Sequence, residues 1–173
     1  MKLIKSVVCV ALLVSFVCVG FSAASLAQGV LTEDEKAGLL QMREEEKLAR
    51  DVYIEMYALY GKTIFSNIIE SEQRHMDAIK GLLDRYHLED PAAVNGVGVF
   101  SDSHIQELYN ELYAKGTRSL NDALEVGVII EELDIADLEQ LLNQTTNRDI
   151  TRVYKNLLEG SYEHLAAFED QLD

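Results

Sequence analysis

Residues 65–86 read FSNIIESEQRHMDAIKGLLDRY, and their apolar side chains recur at the spacing of an α-helix. Each residue of a helix advances about 100° around the axis, so the numbering shows which side chains share a face. The apolar residues that fall within about 40° of one direction are Phe65, Ile68, Met76, Ile79, Leu83 and Tyr86. Glu72 lies in the middle of this stripe, and His75 lies about 60° to one side. The stretch therefore predicts a helix that carries a carboxylate and an imidazole on its buried face.

The rest of the chain also reads as helix. Thr32-Glu33-Asp34-Glu35 has the pattern of a capping box at the start of a helix. The predicted helices cover about 32–60, 63–86, 102–115, 119–143 and 148–170. Residues 87–101 contain proline and glycine turn signals and predict an irregular connection. We therefore expect an all-α fold: an antiparallel four-helix bundle with a long crossover that carries one extra short helix.

The N-terminus has the pattern of a secretory signal peptide. Two lysines precede an uncharged apolar run over residues 6–21, and Ser25-Leu26-Ala27 follows the small-x-small rule of cleavage sites. We expect residues 1–27 to be the signal peptide and residues 28–173 to be the domain. The protein is then exported to the periplasm or the extracellular space, with no membrane attachment in its mature form. An uncleaved anchor is the alternative, although the apolar run is short for a spanning helix.

Composition excludes several classes of function. Cys9 and Cys18 both lie in the signal peptide, so the mature chain has no cysteine and forms neither disulfides nor thiolate metal sites. The formal net charge of the chain is −15. Loss of the signal peptide makes it more negative, because Lys2 and Lys5 are removed. Such an acidic protein repels nucleic acid and anionic lipid, so neither is expected as a partner.

Every long helix brings a metal-capable side chain toward the interior. On or beside the apolar stripes of the other three long helices lie Glu45 and Glu46, Glu131 and Asp134, and Ser161 and His164. An unpaired buried carboxylate costs several kcal/mol, whereas a whole domain is stable by only about 5–15 kcal/mol. The carboxylates must therefore take up protons or surround cations. Two divalent ions would balance four carboxylates, and we prefer this interpretation.

Each element has an alternative reading when it is taken alone. A Glu-x-x-His pair is commonly a solvated pair, and a core histidine such as His164 is commonly hydrogen-bonded structure. The acidic run of residues 44–46 would by default face water, and Glu131 with Glu132 would be ordinary surface charge. Direction alone does not separate Glu45 from Glu46. The coincidence on four helices is what favours a metal site.

The motifs resemble a known superfamily. Glu46-x-x-Ala49-x-x-x-Tyr53 resembles the first metal-binding helix of ferritins, bacterioferritins and rubrerythrins, and Glu72-x-x-His75 is similar to their second. The longer text, from EEEKLARDVY at residues 44–53 to EELDI at residues 131–135, resembles one ferritin-like family, called domain of unknown function 2202. This resemblance covers residues 31–170.

The resemblance implies a carboxylate-bridged di-iron centre. Its implied ligands are Glu46, Glu72, His75, Glu131, Asp134 and His164, with Glu45, Glu132 and Ser161 as less certain candidates. Glu72 would bridge the metals, and Tyr53 would hydrogen-bond a ligand carboxylate. Ser161 stands where bacterioferritin and rubrerythrin carry a glutamate, so the second metal position is expected to be weaker, more open to water, or empty.

The expected function is that of an exported di-metal carboxylate protein. Two metal ions are expected, with iron preferred and manganese or zinc as alternatives. The resemblance implies redox chemistry with O₂ or peroxide, or oxidation of Fe²⁺, with electrons from an unknown external donor. Whether the protein is an enzyme, such as a di-iron oxidase or peroxidase, stays open. The alternatives are a non-catalytic protein that sequesters iron and a helical interaction module without metal. The oligomeric state, a homodimer included, also stays open.

Overall fold

The computed structural model describes residues 30–172, and its regular structure in that range is entirely α-helical. The helices are α1 (Glu33–Tyr60), α2 (Thr63–Tyr86), α3 (Ser103–Gly116), α4 (Leu120–Gln144) and α5 (Arg148–Leu172). The predicted all-α fold and the order of its helices are confirmed, with bounds that differ by at most a few residues. The predicted signal peptide, residues 1–27, lies outside the described residues.

Local signals account for the ends of α1. The Glu35 amide donates to Thr32 Oγ1 at 3.1 Å, and the Thr32 amide donates to Glu35 Oε2 at 2.9 Å, so the capping box is formed. Gly61 ends the helix with φ of 63°, a left-handed conformation that glycine adopts without steric cost. Only Gly61 and Lys62 separate α1 from α2, so the chain reverses at once.

The long helices pack as antiparallel pairs. α1 packs along α2, and α4 packs along α5. α1 also contacts α4, and α2 also contacts α5, so these helices surround a common interior. Thr145 at the end of α4 donates to Glu35 at the start of α1 at 2.6 Å, which shows that α1 and α4 also run in opposite directions. The short α3 lies against α1 and α4.

The interior consists of two apolar clusters with polar side chains between them. One cluster contains Val52, Tyr53, Phe65, Ile130 and Phe168 among its buried residues. The other contains Leu39, Met42, Ile79, Leu138 and Leu157. In every long helix, polar side chains lie in sequence between the residues of the two clusters. We call these side chains the polar layer: Glu46, Glu72, His75, Glu131 and His164. Burial of the apolar clusters is the favourable term that offsets the cost of burying this layer.

The crossover between α2 and α3 is fixed to α1 by buried charges. Arg43 donates two hydrogen bonds to Asp90, both at 2.9 Å. Glu44 accepts from the backbone amides of Ser101 at 2.6 Å and Asp102 at 2.9 Å. The reading of residues 44–46 as a water-facing patch is therefore wrong for Glu44, which is buried because it satisfies backbone donors just before α3.

A second buried contact follows one turn later along α1. Lys47 and Asp51 form an ion pair without solvent exposure. Lys47 also donates to the Gly96 carbonyl at 2.8 Å, and Asp51 accepts from the Gly98 amide at 2.9 Å. These contacts bury one face of α1 against the crossover, whereas its inner face packs against α2 and α4. Within residues 30–172, none of the helices has the long, nearly charge-free apolar run that crossing a bilayer requires.

Candidate metal centre

The polar layer contains two groups of side chains that could each hold a metal ion. Glu46, Glu72 and His75 form the first, which we call the His75 group. Glu72, Glu131 and His164 form the second, the His164 group. In each group the three ligand atoms lie within 4.8 Å of one another. Glu72 belongs to both groups, so a single carboxylate links the two positions.

Helical spacing explains why these side chains meet. Glu72 and His75 are three residues apart on α2 and therefore share a face. Glu46 follows the buried Leu39 and Met42 on the inner stripe of α1, and Glu131 occupies the equivalent stripe of α4 with Leu124 and Leu138. His164 lies on the inner stripe of α5 with Leu157 and Phe168. The layer forms because the helices bring these positions to the same height between the two apolar clusters.

Glu72 divides its two oxygens between the two histidines. Its Oε2 atom lies 3.0 Å from His75 Nδ1, and its Oε1 atom lies 2.8 Å from His164 Nδ1. On the outer sides, His75 Nδ1 lies 3.1 Å from Glu46 Oε2, and His164 Nδ1 lies 3.5 Å from Glu131 Oε2. The two imidazole rings are stacked with their centroids 5.6 Å apart. Glu72 therefore contacts both histidines, each through a different oxygen.

The separations fit metal coordination as well as they fit hydrogen bonds. Nitrogen and oxygen ligands lie about 2.0–2.2 Å from a transition metal, so neighbouring ligands at right angles lie about 3 Å apart. Glu72 Oε1 and His164 Nδ1 are buried and close, yet neither makes a hydrogen bond within the described part of the chain. Glu46 Oε1 is also buried without a partner there. Buried polar atoms are normally paired, so these atoms fit a cation between them.

The pKa values of the layer's own side chains indicate which charges a cation would replace. Burial alone would raise the pKa of Glu72, but the adjacent His164 and His75 outweigh it and lower the pKa to about 2. Burial alone would lower the pKa of His164, but Glu131 and Glu72 raise it to about 10. Burial and the charge of Glu72 raise the pKa of Glu131 to about 7. Burial, Asp134 and Glu72 raise the pKa of Glu46 well above its ordinary range. Protons therefore balance the carboxylates where metals are absent.

Metal affinity should fall as the pH falls. The raised pKa values mean that His164 and, in part, Glu131 hold protons at neutral pH, and these protons must leave before the same atoms bind metal. We expect the apparent affinity for Zn²⁺ to fall between pH 8 and pH 6 by on the order of tenfold per pH unit for each proton released. Calorimetric titration in buffers of different ionisation enthalpy measures both quantities. A pH-independent affinity without proton release would contradict this prediction.

Other polar residues orient the layer from its edge. Tyr53 is fully buried and donates to Glu131 Oε1 at 2.6 Å, and Glu131 is one of the candidate ligand carboxylates. Burial and the charge of Glu131 raise the pKa of Tyr53, which keeps the phenol protonated as a donor. Ser161 Oγ donates to Asp134 Oδ2 at 2.5 Å. Asp134 Oδ1 is buried and has no hydrogen-bond partner in residues 30–172. Asp134 and Ser161 therefore lie together beside the two groups but belong to neither.

The rotation of α1 and α4 about their axes keeps the remaining candidate ligands, Glu45 and Glu132, out of both ligand groups. Glu46, not Glu45, enters the His75 group. Glu45 is half-buried beside the interior, where the Gln41 amide donates to it at 2.8 Å. Burial and the neighbouring Asp137 raise the pKa of Glu45 to about 7. Glu132 is exposed and is in neither group, because it lies about 100° around α4 from Glu131.

Two features of the site could not be predicted from the sequence. A Cβ atom added at Gly160 would lie 2.7 Å from both Cε1 and Nε2 of His75, so the missing side chain leaves room for that imidazole. A cavity of about 610 Å³ lies between α1, α3 and α4 and extends inward to Glu72, Glu131 and Asp134. Both features depend on how separate helices approach one another, which periodicity within one helix does not reveal.

Comparison with known proteins gives the family. Residues 35–173 match the family model described as "Uncharacterized protein domain (DUF2202)". The chain is similar to the uncharacterized protein MJ0754 of Methanocaldococcus jannaschii, with 52% identity over 150 residues that cover 87% of this chain and 81% of that protein. The crystal structure of hypothetical protein MJ0754 from Methanococcus jannaschii DSM 2661 matches with a TM-score of 0.83 and 52% identity over 86% of this chain and 85% of that chain. The chain therefore belongs to the DUF2202 family, as its sequence motifs predict.

Proposed function

We propose that this chain is a ferritin-like carboxylate protein that binds two metal ions across Glu72. The observation that carries the proposal is the sharing of Glu72 by two buried ligand groups on four helices. Glu46 and His75 would complete one position, and Glu131 and His164 the other. Asp134 supplies a fourth carboxylate beside them, so two divalent ions balance the negative charge of this region. Oxygen and nitrogen ligands without sulfur suit iron, which we prefer, and also manganese or zinc.

The arrangement of the helices supports the ferritin-like part of the proposal. α1, α2, α4 and α5 pack with their neighbours antiparallel, and the crossover that carries α3 connects α2 to α4. A four-helix bundle with one long connection is the architecture of ferritin-like proteins, in which inward carboxylates and histidines build the metal site. The motifs Glu46-x-x-Ala49-x-x-x-Tyr53 and Glu72-x-x-His75 occupy the inner faces on which such ligands are found.

The activity we propose is redox chemistry. An iron pair held by these residues would supply electron transfer to O₂ or peroxide, with the electrons taken from an external donor or from further Fe²⁺. The residues of the chain would orient the metal ligands and shield them. Tyr53 orients Glu131 by a hydrogen bond, and the apolar clusters on either side of the layer exclude bulk water. The mature chain has no cysteine to bind an electron-transfer cluster, so electrons for O₂ or peroxide would come from an external donor.

Metal analysis followed by rapid mixing tests the proposal. Protein purified without chelators should contain about two metal ions per chain, because the layer has two positions. After anaerobic loading with Fe²⁺, mixing with O₂ or peroxide should oxidise the iron much faster than the same Fe²⁺ without protein. Tight binding with slow oxidation would indicate the non-catalytic, sequestering alternative. Failure to bind any metal would contradict the proposal as a whole and favour the interaction module.

We also propose that the protein acts outside the cytoplasm. The charged start, apolar run and small-x-small site in residues 1–27 support export through a cleaved signal peptide. N-terminal sequencing of the protein from the periplasm or the medium should begin at Gln28. A sequence that begins at Met1 and is found in the membrane fraction would contradict cleavage and support an anchor.

A further inference from the structure

The cavity between α1, α3 and α4 has the dimensions and walls of a pocket for a small organic molecule. Its volume of about 610 Å³ lies within the range of small-ligand pockets, about 300–1,000 Å³. Apolar side chains from the three helices line it, among them Leu48 of α1, Leu108 of α3 and Ile130 of α4. Polar side chains make up half of the lining residues, so a ligand that fits the cavity has a polar group as well as an apolar body.

The inner end of the cavity reaches the polar layer. Glu72 and Glu131, which belong to the His164 group, are among its lining residues. A molecule in the cavity would therefore lie next to the carboxylates that we propose to bind metal. This places the cavity where a substrate of that site would have to bind.

Acidic side chains that are not part of the polar layer also line the cavity. They include Glu45, Asp102 and Asp137, which we call the outer acids because they lie outside the polar layer. Glu45 Oε2 is buried and has no hydrogen-bond partner within residues 30–172. No lysine or arginine from that range lines the cavity. His104 also lines the cavity, but carboxylates outnumber it, so carboxylate or phosphate ligands would be repelled here, whereas an ammonium group would pair with the outer acids.

We propose that this cavity binds a small organic cation, a primary amine with an apolar body. The ammonium group lies at the outer acids, with Glu45 as its main partner, and the apolar body extends along Leu48, Leu108 and Ile130 toward the polar layer. The inference deepens the proposed function and rests on it for the role of this molecule as a substrate. Binding itself requires only the cavity and the outer acids.

A set of matched probes tests the head group and the body separately. Hexylamine, 1-hexanol and hexanoate share an apolar chain and differ in charge, whereas ethylamine keeps the charge and shortens the chain. Each is titrated calorimetrically into metal-loaded and metal-free protein at neutral pH and 0.1 M salt. We expect saturable binding of one hexylamine per chain and no measurable binding of hexanoate. Ethylamine should bind more weakly by about fourfold for each methylene that is lost.

Variants assign the binding to the cavity. Glu45→Gln and Asp137→Asn should each weaken hexylamine binding by on the order of tenfold and leave 1-hexanol unchanged, because only the charge pairing is removed. Glu111→Gln changes an exposed acid of α3 outside the cavity and should bind hexylamine normally. Helical circular dichroism checks that each variant is folded.

The outcomes separate this inference from the proposed function. Hexylamine binding that depends on Glu45 and Asp137 supports the cavity assignment, and metal content is measured on the same samples. Equal binding of hexylamine and hexanoate, or equal effects of Glu45→Gln and Glu111→Gln, would overturn it. Two bound metals without hexylamine binding would overturn the inference alone. Hexylamine binding by a protein that proves unable to bind metal would contradict the proposed function and remove the substrate role.

Discussion

Replacement of Glu72 by alanine should empty both metal positions at once. Glu72 is the one residue common to the two ligand groups, and its oxygens face His75 and His164 separately. We expect the metal content to fall from about two ions per chain to well below one, because each position loses a ligand and the charge that balances it. Metal content after gel filtration, measured by mass spectrometry, gives the result directly.

A conservative variant separates metal loss from unfolding. Alanine leaves His164 without its closest carboxylate, and breaking a buried ion pair commonly costs about 3–5 kcal/mol. Glu72→Gln keeps the shape of the side chain but removes the negative charge that bridges the positions. We expect folded Glu72→Gln protein with little metal. Glu132→Ala, at an exposed position next to Glu131, is the control and should keep both metals. If Glu72→Gln keeps both metals as well, Glu72 is not the bridge.

Replacement of Gly160 by alanine should empty one position and leave the other. A Cβ atom at this site would lie 2.7 Å from the His75 ring, too close for van der Waals contact, and the ring is the part that can move. Its displacement removes a nitrogen ligand from the His75 group, whereas the His164 group is untouched. We expect the metal content to fall from about two to about one per chain, with on the order of a 100-fold loss of affinity at the position that His75 serves.

Gly81→Ala is the matched control for this prediction. Gly81 also lies inside a helix, but a Cβ atom there would meet nothing within 4 Å. The control should keep both metals and gain about 0.5–1 kcal/mol of stability, because alanine favours the helix over glycine. Urea unfolding and metal analysis on both variants distinguish the two effects. Loss of both metals from Gly160→Ala, or of neither, would show that the positions are not held as separate groups.

Periodicity within single helices predicted much of the site. The stripe on α2 placed Glu72 inside, and the same reasoning placed Glu131 and His164 inside, since a core-facing helix buries a fixed set of positions. It left Glu45 and Glu46 unresolved because α1 is buried on two faces. The second face carries charged residues such as Glu44, which have no apolar pattern and are buried only because the crossover covers them.

The side-chain contacts between helices could not be predicted from the sequence. The resemblance implied that Asp134 is a ligand. It also showed that Ser161 occupies a position at which bacterioferritin and rubrerythrin carry a glutamate. In the structure these two side chains hydrogen-bond each other, a pairing that depends on how α4 and α5 are rotated together. The cavity and the fit of His75 against Gly160 likewise depend on distances between helices.

Anomalous diffraction from crystals of metal-loaded protein tests the central claim most directly, because it locates bound ions by element. The account predicts two peaks on either side of the Glu72 carboxylate, about 3.5–4 Å apart as in other two-metal sites. One peak should lie beside Glu46 and His75, and the other beside Glu131 and His164. Peaks confined to exposed carboxylates, or no peak between the two apolar clusters, would contradict it.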